Sequence, residues 1–386
     1  MNVLIIGSDY TLAMDRERVI GDSQDRHILY GKYVSNLFIV VASPKRMGLG
    51  VKKLSENVVV YPTSSRRFLS SWDAYRIGSN ICRHNKIDII TTQDPFLAGL
   101  VGYWLKRKFS IPLNVQLHAD FLDNEYWIQE RVINYFFNKL GKWLIKKADT
   151  VRVVGSVLEK KLTGYGIPQD RTWLIPVQVD MTKCNQFSPV EMQHIRKQYL
   201  LGDGKLVLCV AALRKQKNIP NLLESTAIVV RKHPSTRLLI CGDGEERVNL
   251  EALSRKLGLT NHVIFLGNIP HDYLPNYYYA CDFFVLASDS EGLGRVLIEA
   301  AVAKKALIAT DVSGPRDIVR EGRNGFLVPP RNSAALAEKM MLLIENAELA
   351  RRMGEEAYRH VTENFNPDKI VEKLSSMWHQ TVKPEK

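Results

Sequence analysis

Short apolar runs alternate with amphipathic stretches along the whole chain of 386 residues. In the first half, runs rich in Val, Ile and Leu predict strands over residues 2–7, 36–42, 57–61, 87–92, 113–117, 150–154 and 172–176. Between most of them, apolar residues recur at helical spacing, over 22–35, 70–84, 95–108, 126–147 and 156–164. Buried strands that alternate with helices are typical of a doubly wound parallel sheet in an α/β fold.

The second half repeats this alternation. Strands are predicted over 206–211, 236–241, 262–266, 282–287, 306–310 and 326–328, and helices over 218–232, 245–257, 271–280, 294–304, 332–346, 347–363 and 367–381. We therefore expect two Rossmann-like domains, residues 1–183 and 184–365, with a C-terminal helix in 366–386 that packs back on the first domain. Prolines and polar residues over 176–189 mark the seam. Ligands of such sheets bind at the carboxyl ends of the strands.

Composition narrows the class of protein. Hydrophobic residues make up 45% and charged residues 24% of the chain, which excludes a disordered protein, a collagen-like fibre and a disulfide-rich mini-protein. The net charge is +12, and residues 1–185 hold +9 of it, from 26 Lys and Arg against 17 Asp and Glu. This asymmetry indicates either an anionic partner for the first half or an ordinary basic surface. No recognisable nucleic-acid-binding module is present, so we do not expect a nucleic-acid partner.

The cysteines and the first residues indicate the compartment. The five cysteines form no Cys-x-x-Cys motif, and their odd number indicates unpaired thiols in a reducing compartment. Met1 leads directly into the apolar run 2–7 without a basic segment, so we expect no signal peptide. The expected location is the cytoplasm, with a peripheral position at the cytoplasmic face of a membrane as the alternative.

The segment after the predicted strand 282–287 combines acidic residues with a glycine turn. It runs Ala287-Ser288-Asp289-Ser290-Glu291-Gly292-Leu293-Gly294-Arg295 and opens a helix that includes Glu299. Gly292 and Gly294 permit a close approach of the backbone to a ligand, and the first amides of the helix favour an anion such as a diphosphate. Carboxylates accept hydrogen bonds from paired hydroxyls, so Glu291 suits a sugar and Glu299 a ribose. The alternative is a helix-terminal carboxylate and a solvated helix charge.

Cations and two further glycine turns end neighbouring strands. Arg214 and Lys217 directly follow the strand 206–211, where they either face a diphosphate or form a solvated basic turn. Cys241-Gly242-Asp243-Gly244 and Leu266-Gly267-Asn268-Ile269-Pro270 end two more strands. These turns leave room for a nucleotide base against the backbone, unless glycine only makes the turn.

Together these residues resemble the donor-binding domain of glycosyltransferase family 4, the large retaining family with the GT-B architecture. The resemblance extends over about residues 200–330, and its most specific feature is the pair Glu291 and Glu299, with seven residues between them, around a glycine turn. The first half is similar more loosely, through its strand order and the segment Leu117-His118-Ala119-Asp120. The family implies two Rossmann-like domains that face a central cleft.

The resemblance implies a role for each matched residue. Glu291 is expected to bind the hydroxyls of the donor sugar, Glu299 the ribose, and Lys217 the diphosphate. His118 is expected beside the donor sugar, although a histidine at the end of a buried strand is more often structural. The donor-binding set comprises the backbone of Gly292, Leu293, Gly294 and Arg295 at the sugar and diphosphate, and Gly242, Gly267, Asn268 and Ile269 near the base.

The chain departs from the family pattern at three points. Ala212 stands where the family has an arginine five residues before its lysine, and Arg214 is the candidate replacement. Gly21-Asp22 replaces the usual N-terminal Gly-Gly loop. Val177-Gln178 replaces the usual Asn-Gly of the linker, so linker contacts to the donor stay open.

The expected activity is that of a retaining hexosyltransferase. It uses a UDP- or GDP-sugar as co-substrate and a hydroxyl of a glycan or lipid-linked acceptor, as in cell-surface polysaccharide or glycolipid synthesis. No Asp-x-Asp motif is present, so no metal cofactor is expected. The alternatives are a non-catalytic nucleotide-sugar-binding partner subunit and a sugar-nucleotide epimerase of the same architecture.

One further segment bears on the acceptor. Residues 126–147 mix aromatic residues with lysines, and Arg66-Arg67-Phe68-Leu69 and Lys106-Arg107-Lys108 add positive charge. This composition suits a surface that contacts anionic lipid, near a lipid-linked acceptor. It equally suits a core-facing helix with a basic outer face.

Overall fold

The apolar runs of the sequence form two parallel sheets, each in its own unit of the chain. The computed structural model describes residues 1–16, 22–66, 69–200 and 202–382. The N-terminal unit comprises residues 1–178 and 368–386, and the C-terminal unit comprises residues 179–367. The chain therefore passes to its second unit after Gln178, slightly before the predicted boundary at 183, and returns after Pro367.

The described strands of the N-terminal unit form one eight-stranded sheet. They are β1 (Asn2–Gly7), β2 (Asn36–Val41), β3 (Lys52–Ser55), β4 (Val58–Pro62), β5 (Ile89–Thr92), β6 (Leu113–Leu117), β7 (Thr150–Val153) and β8 (Thr172–Leu174). Their order is β3-β4-β2-β1-β5-β6-β7-β8, and every pair is parallel except β3 with β4. Parallel strands are buried on both faces, so their sequences are nearly continuous apolar runs. The predicted strands are therefore found close to their expected positions.

Strand β3 is absent from the predicted set. Its sequence, Lys52-Lys53-Leu54-Ser55, is mostly polar, and none of its residues is fully buried. An edge strand pairs on one side only and commonly carries lysine, which prevents pairing with another chain. No continuous apolar run therefore marks it.

The helices of the N-terminal unit begin with α1 (Ser23–Gly31), α2 (Ser70–His84), α3 (Leu97–Phe109), α4 (Glu125–Glu130), α5 (Val132–Lys147) and α6 (Ser156–Gly164). The prediction of one helix over 126–147 is wrong, because Arg131 has extended backbone angles of φ −150° and ψ 138° and separates α4 from α5. Asn124 caps α4 by accepting a hydrogen bond from the amide of Trp127.

The C-terminal unit holds a six-stranded sheet in the part of the chain that the structure describes. Its strands are β9 (Leu206–Val210), β10 (Arg237–Cys241), β11 (Val263–Gly267), β12 (Phe283–Leu286), β13 (Ala306–Thr310) and β14 (Gly325–Val328). They are all parallel and follow the order β11-β10-β9-β12-β13-β14. The strand order reverses between β9 and β12, which is where open α/β sheets bind ligands.

The helices of the C-terminal unit are α7 (Met181–Cys184), α8 (Pro189–Tyr199), α9 (Ile219–Lys232), α10 (Arg247–Lys256), α11 (Leu274–Ala280), α12 (Arg295–Val302), α13 (Pro315–Ile318), α14 (Ser333–Glu345) and α15 (Ala347–Asn364). Helix α8 is absent from the predicted set because only Ile195 within it is buried, which leaves little apolar periodicity. Ser188 accepts a hydrogen bond from the amide of Glu191 and caps it. Within the described ranges, none of the helices is apolar over enough length to cross a bilayer.

The last helix, α16 (Pro367–Val382), packs against the N-terminal unit. Met377 and Trp378 are fully buried, and the Trp378 ring meets the Tyr30 ring edge-on at 6.3 Å between centroids. The hydroxyl of Thr381 lies 2.8 Å from the hydroxyl of Thr150 on β7. The C-terminal segment thus completes the core of the first unit.

A buried histidine makes the stability of the N-terminal unit sensitive to acid. His27 donates from Nδ1 to the Ser23 carbonyl at 2.7 Å, and burial lowers its pKa from 6.5 to about 4. The unfolded chain binds this proton below pH 6.5 and the folded chain only near pH 4, so stability falls as the pH decreases through that window. We expect His27 to account for about 2 kcal/mol of lost unfolding free energy between pH 7 and pH 5.

Urea unfolding at pH 7 and pH 5 tests this expectation. His27→Gln removes the titrating group, so its unfolding free energy should fall less between the two pH values than that of the wild type. An equal fall in both proteins contradicts the assignment.

Candidate functional site

Two loops meet at the carboxyl edge of the C-terminal sheet because their strands are neighbours. Strand β9 pairs with β12, with Val207 opposite Phe283. The loop after β9 holds a 3-10 turn over Lys215–Lys217, and the loop after β12 leads through 287–294 into α12. The topology thus brings the predicted cations and the predicted acidic loop to one place.

An ion pair joins the two loops. Lys217 Nζ lies 2.5 Å from Glu291 Oε1, and Ser288 Oγ donates to the same oxygen at 2.7 Å. Glu291 is 7% exposed, so its charge is held largely out of water. Lys217 is half-buried and contacts a buried glutamate. This contradicts the alternative that Lys217 belongs to a solvated basic turn.

The loop 288–291 is also anchored to the loop after β9 by side chains that were not predicted. The side-chain amide of Gln216 donates to the Ser290 carbonyl at 2.8 Å. The backbone carbonyl of Gln216 accepts from the Asp289 amide at 2.9 Å. Asp289 accepts from Asn218 Nδ2 at 2.7 Å and from Arg331 Nε at 2.9 Å. These contacts fix the position of Glu291 relative to Lys217.

A left-handed glycine opens α12. Gly294 has φ +80° and stands at the N-cap, where it provides no capping side chain. Leu293 is buried and packs so closely on Gly314 that a Cβ there would lie 2.5 Å from the Leu293 Cα. The first amides of a helix and its dipole favour negative charge, so this turn, from Gly292 to Arg295, is suitable for an anion.

Glu299 lies one turn deeper in α12 and is 6% exposed, which contradicts the alternative of a solvated helix charge. Tyr278 donates its hydroxyl to Oε2 at 2.8 Å, and His271 Nε2 lies 3.8 Å from Oε1. Burial and the nearby carboxylate raise the pKa of Tyr278 well above 10, so the hydroxyl stays protonated as a donor. Glu299 is thus held in one orientation by a partner that the sequence did not indicate.

The two further glycine turns lie side by side. The Gly242 amide donates to the Gly267 carbonyl at 2.7 Å, and both glycines have positive φ. Asn268 is exposed and Ile269 half-buried directly after this contact. The role of these residues toward a nucleotide base stays a prediction.

Replacing Gly242 with alanine should destabilise the C-terminal unit by about 3 kcal/mol or more. Its φ is +133°, and a Cβ would lie 2.0 Å from the Ala211 carbonyl oxygen at the end of β9. Gly258→Ala is the matched control, because Gly258 has φ +74° with no atom near its Cβ position, so only about 1 kcal/mol of backbone strain applies. Equal unfolding free energies for the two variants would show that the clash is relieved at no cost.

Arg214 and Ala212 lie at the outer side of the loop after β9. Both are exposed, and Arg214 directly precedes the turn that contains Lys217. Arg214 is therefore a second cation three residues before Lys217 in the chain. The role of Arg214 as a replacement for the family arginine stays a prediction.

His118 belongs to the N-terminal unit, directly after β6. Burial, together with Arg152 and Arg26, lowers its pKa well below 6.5, so the imidazole is neutral at pH 7. Asp120 accepts from Lys161 Nζ at 2.7 Å, which assigns that carboxylate to an ion pair. Gly21 of the N-terminal loop lies outside the described residues.

The comparisons with known proteins match both units. The model described as "Glycosyl transferases group 1" matches residues 191–360, and "Glycosyltransferase Family 4" matches residues 38–183. An uncharacterized glycosyltransferase of Methanocaldococcus jannaschii is 30% identical over 78% of this chain and 77% of its own length. The alpha-monoglucosyldiacylglycerol synthase of Streptococcus pneumoniae is 24% identical over 80% of this chain and 70% of its own length.

A solved structure has the same fold. HepE from Anabaena, in complex with UDP, superimposes with a TM-score of 0.80 at 21% identity, over 98% of this chain and all of that one.

Proposed function

Because this chain belongs to the group 1 and family 4 glycosyltransferases, we propose that it moves a hexosyl group from a nucleotide diphosphate sugar to a hydroxyl acceptor. The donor is a UDP- or GDP-sugar, and the product retains the configuration of the donor at the anomeric carbon. The observation that supports this most is the contact of Lys217 with Glu291 beside the glycine turn that begins α12.

The diphosphate of the donor binds between Lys217 and the first turn of α12. A lysine ammonium has three N–H donors, and Glu291 takes one of them, so two are available to phosphate oxygens. The amides of the turn from Gly292 to Arg295 donate to the same group. Arg214, exposed before the 3-10 turn, supplies a second cation. Donors fixed in advance stabilise the charge that grows on the leaving diphosphate.

The two glutamates bind the hydroxyls of the donor. The described residues donate to Glu291 at Oε1, which leaves Oε2 for hydroxyls of the sugar. Glu299, oriented by Tyr278, accepts from the ribose hydroxyls, and Gly242 and Gly267 border the base. His118, as a neutral imidazole, contacts the donor sugar.

The transfer step breaks the bond between the anomeric carbon and the oxygen of the leaving diphosphate. The acceptor oxygen forms the new bond from the face that the diphosphate leaves, and its proton passes to the departing phosphate oxygen. In this step no carboxylate attacks the sugar, and Glu291, held at Oε1 by Lys217 and Ser288, binds the sugar hydroxyls. Positioning and electrostatic stabilisation carry the rate enhancement.

We propose that this reaction proceeds without a metal cofactor. Lys217, Arg214 and the helix amides supply the positive charge that a metal ion supplies elsewhere. Turnover in excess EDTA should equal turnover in buffer, and loss of turnover that Mg²⁺ or Mn²⁺ restores would contradict this part of the proposal.

The acceptor is a glycan or a lipid-linked glycan in cell-surface polysaccharide or glycolipid synthesis at the cytoplasmic face of a membrane. The Streptococcus pneumoniae relative, a monoglucosyldiacylglycerol synthase by name, supports a lipid acceptor. The Anabaena structure, solved with UDP, supports a uridine nucleotide. The relative thus supports the proposed acceptor of this chain, and the solved structure supports its proposed donor.

A thermal-shift panel of UDP- and GDP-sugars tests the donor. A donor at about a hundred times its Kd should raise Tm by about 5 °C or more, because ligand binding stabilises the folded form by mass action. The donor so identified is then incubated with and without acceptors, and the products are separated. The absence of any shift, or a donor epimer formed without acceptor, would contradict the proposed transfer.

A further inference from the structure

The N-terminal unit contains a cavity of about 460 Å³ that the donor site does not use. It lies at the carboxyl ends of β1 and β5, where Gly7 and Gln93 line it. The strand order of the sheet reverses between these two strands. The first turns of α2, α3 and α5 complete the wall with Ser71, Leu97 and Asn134.

Four packed aromatic rings form one part of the lining, and aliphatic side chains form much of the rest. Phe96 stacks on Trp127 at 5.2 Å between centroids with 18° between planes, and it contacts Phe121 at 5.7 Å and Phe137 at 5.5 Å. Two polar side chains of the wall are held by backbone groups: Asp94 accepts from the amides of Phe96 and Ala98, and Asn134 donates to the Trp127 carbonyl. The cavity therefore offers mainly hydrocarbon contact and suits an apolar chain.

Large exposed apolar side chains lie in or beside the helix turns that line the cavity. Helix α3 packs against both α2 and α5, and the first turns of the three helices line one cavity, so these turns are neighbours. The exposed apolar residues in or beside these turns are Leu69 (52%), Trp72 (60%), Leu97 (45%), Val132 (84%), Ile133 (50%) and Phe136 (60%). We call these six residues the apolar rim. A cluster of this kind on a protein surface marks an interaction site.

Beyond their first turns, toward their C-terminal ends, the same three helices carry exposed lysines and arginines. The exposed cations there are Arg76 and Arg83 on α2, Arg107 and Lys108 on α3, and Lys146 and Lys147 on α5. The distance along α3 from Leu97 to Arg107 is about 15 Å. Trp104 on α3 and Trp143 on α5 lie between the two zones and are 37% and 41% exposed.

This order of side chains matches the layers of a bilayer surface. Aliphatic and phenyl groups enter the acyl region, tryptophan prefers the interface, and lysine and arginine reach anionic headgroups. On α4, Glu125 and Glu130 are exposed and acidic, so the bilayer-facing surface ends there. Helix α5 buries Leu144 and Ile145 and exposes Lys146 and Lys147, as the alternative of a core-facing helix with a basic outer face describes. Lipid contact by residues 126–147 stays a prediction. Arg67 and Phe68, which also belong to this prediction, lie outside the described residues.

We propose that the apolar rim inserts into an anionic phospholipid bilayer and that the cavity behind it takes the hydrocarbon chain of a lipid from that bilayer. This inference rests on the proposed function in one respect only, namely that the lipid then carries the acceptor hydroxyl. The cations on α2, α3 and α5 favour anionic headgroups over an apolar protein partner or a second copy of the chain.

Flotation with vesicles of phosphatidylcholine and phosphatidylglycerol tests the surface. The wild-type chain should float with the vesicles at low salt, and Val132→Ser with Phe136→Ser should lower the bound fraction at least about fivefold. The control is Val190→Ser with Val248→Ser, which removes two valines that are 73% and 74% exposed on the other unit. No flotation of the wild type, equal losses in both double variants, or self-association through the rim in place of flotation overturns the proposal.

A short-chain lysophosphatidylglycerol, used below its critical micelle concentration, tests the cavity. It should raise the Tm of the wild type, and Ser71→Trp, which fills the mouth of the cavity, should abolish the shift. Asn80→Trp places the same side chain on the exposed surface of α2 as a control. A shift that Ser71→Trp leaves unchanged overturns the assignment of the cavity.

The same samples separate this inference from the proposed function. A nucleotide sugar should still shift the Tm of the rim and Ser71→Trp variants, because the residues proposed for the diphosphate, ribose and base belong to the other unit and His118 is unchanged in these variants. Flotation without any nucleotide shift contradicts the proposed donor, whereas a nucleotide shift without flotation contradicts only the membrane surface.

Discussion

Replacing Lys217 with alanine should lower kcat for sugar transfer about 10²–10³-fold. The ammonium group is held 2.5 Å from Glu291 at the start of α12, where we propose that the diphosphate leaves with growing negative charge. Removing one preorganised donor to such a charge costs about 3–4 kcal/mol of transition-state stabilisation. The buried Glu291 also loses its counter-charge, which adds to the loss.

The matched control for this variant is Lys215→Ala. Lys215 lies in the same 3-10 turn and is exposed, so its removal should leave kcat within about twofold of the wild type. Circular dichroism and Tm should show that both variants fold. Similar kcat values for Lys217→Ala and the wild type contradict the role of Lys217.

Replacing Glu291 with alanine should lower kcat about tenfold to a hundredfold. Its Oε1 accepts from Lys217 and Ser288, so the carboxylate positions the lysine as well as contacting the sugar. This fold-change corresponds to about 1.4–2.7 kcal/mol, which is within the range for loss of a charged contact. Glu291→Gln keeps the shape and the hydrogen bond from Ser288 but loses the charge, so it should recover at most part of the activity.

The control for Glu291 is Glu338→Ala, which removes an exposed glutamate on α14 of the same unit. The double variant Lys217→Ala with Glu291→Ala gives a sharper test, because residues in contact act as a unit. Its loss in kcat should be much smaller than the product of the two single losses. Independent, multiplying losses would show that the two side chains act at separate places.

The sheets could be predicted because parallel strands are buried on both faces. Val3, Leu4 and Ile5 of β1 and Phe283 and Phe284 of β12 are almost completely buried, and each run is visible in the sequence. Elements with little burial could not be found in this way. Strand β3 lies at an edge, α8 buries only Ile195, and the break at Arg131 has no proline or glycine to mark it.

The site could be predicted in part. Glu291, Gly294 and Glu299 lie close together in the chain, so their spacing around one turn is a local signal. The contact between Lys217 and Glu291 joins residues 74 positions apart and exists because β9 pairs with β12, which spacing cannot reveal. Tyr278, the partner of Glu299, lies in an ordinary apolar helix and carries no signal of its role.

The proposed membrane surface could also be predicted only in part from the sequence. The charge of +9 on residues 1–185 indicates an anionic partner but does not locate it. Only the packing of α2, α3 and α5 side by side separates an apolar zone at their first turns from a basic zone at their ends. Cytoplasmic location stays a prediction.

A crystal structure of the chain with bound UDP or GDP tests the central claim most directly. We expect the diphosphate within hydrogen-bond distance of Lys217 Nζ and of the amides between Gly292 and Arg295, with the ribose on Glu299. Density for the nucleotide that avoids this loop, with the Lys217–Glu291 pair unchanged and no phosphate near it, would contradict the account.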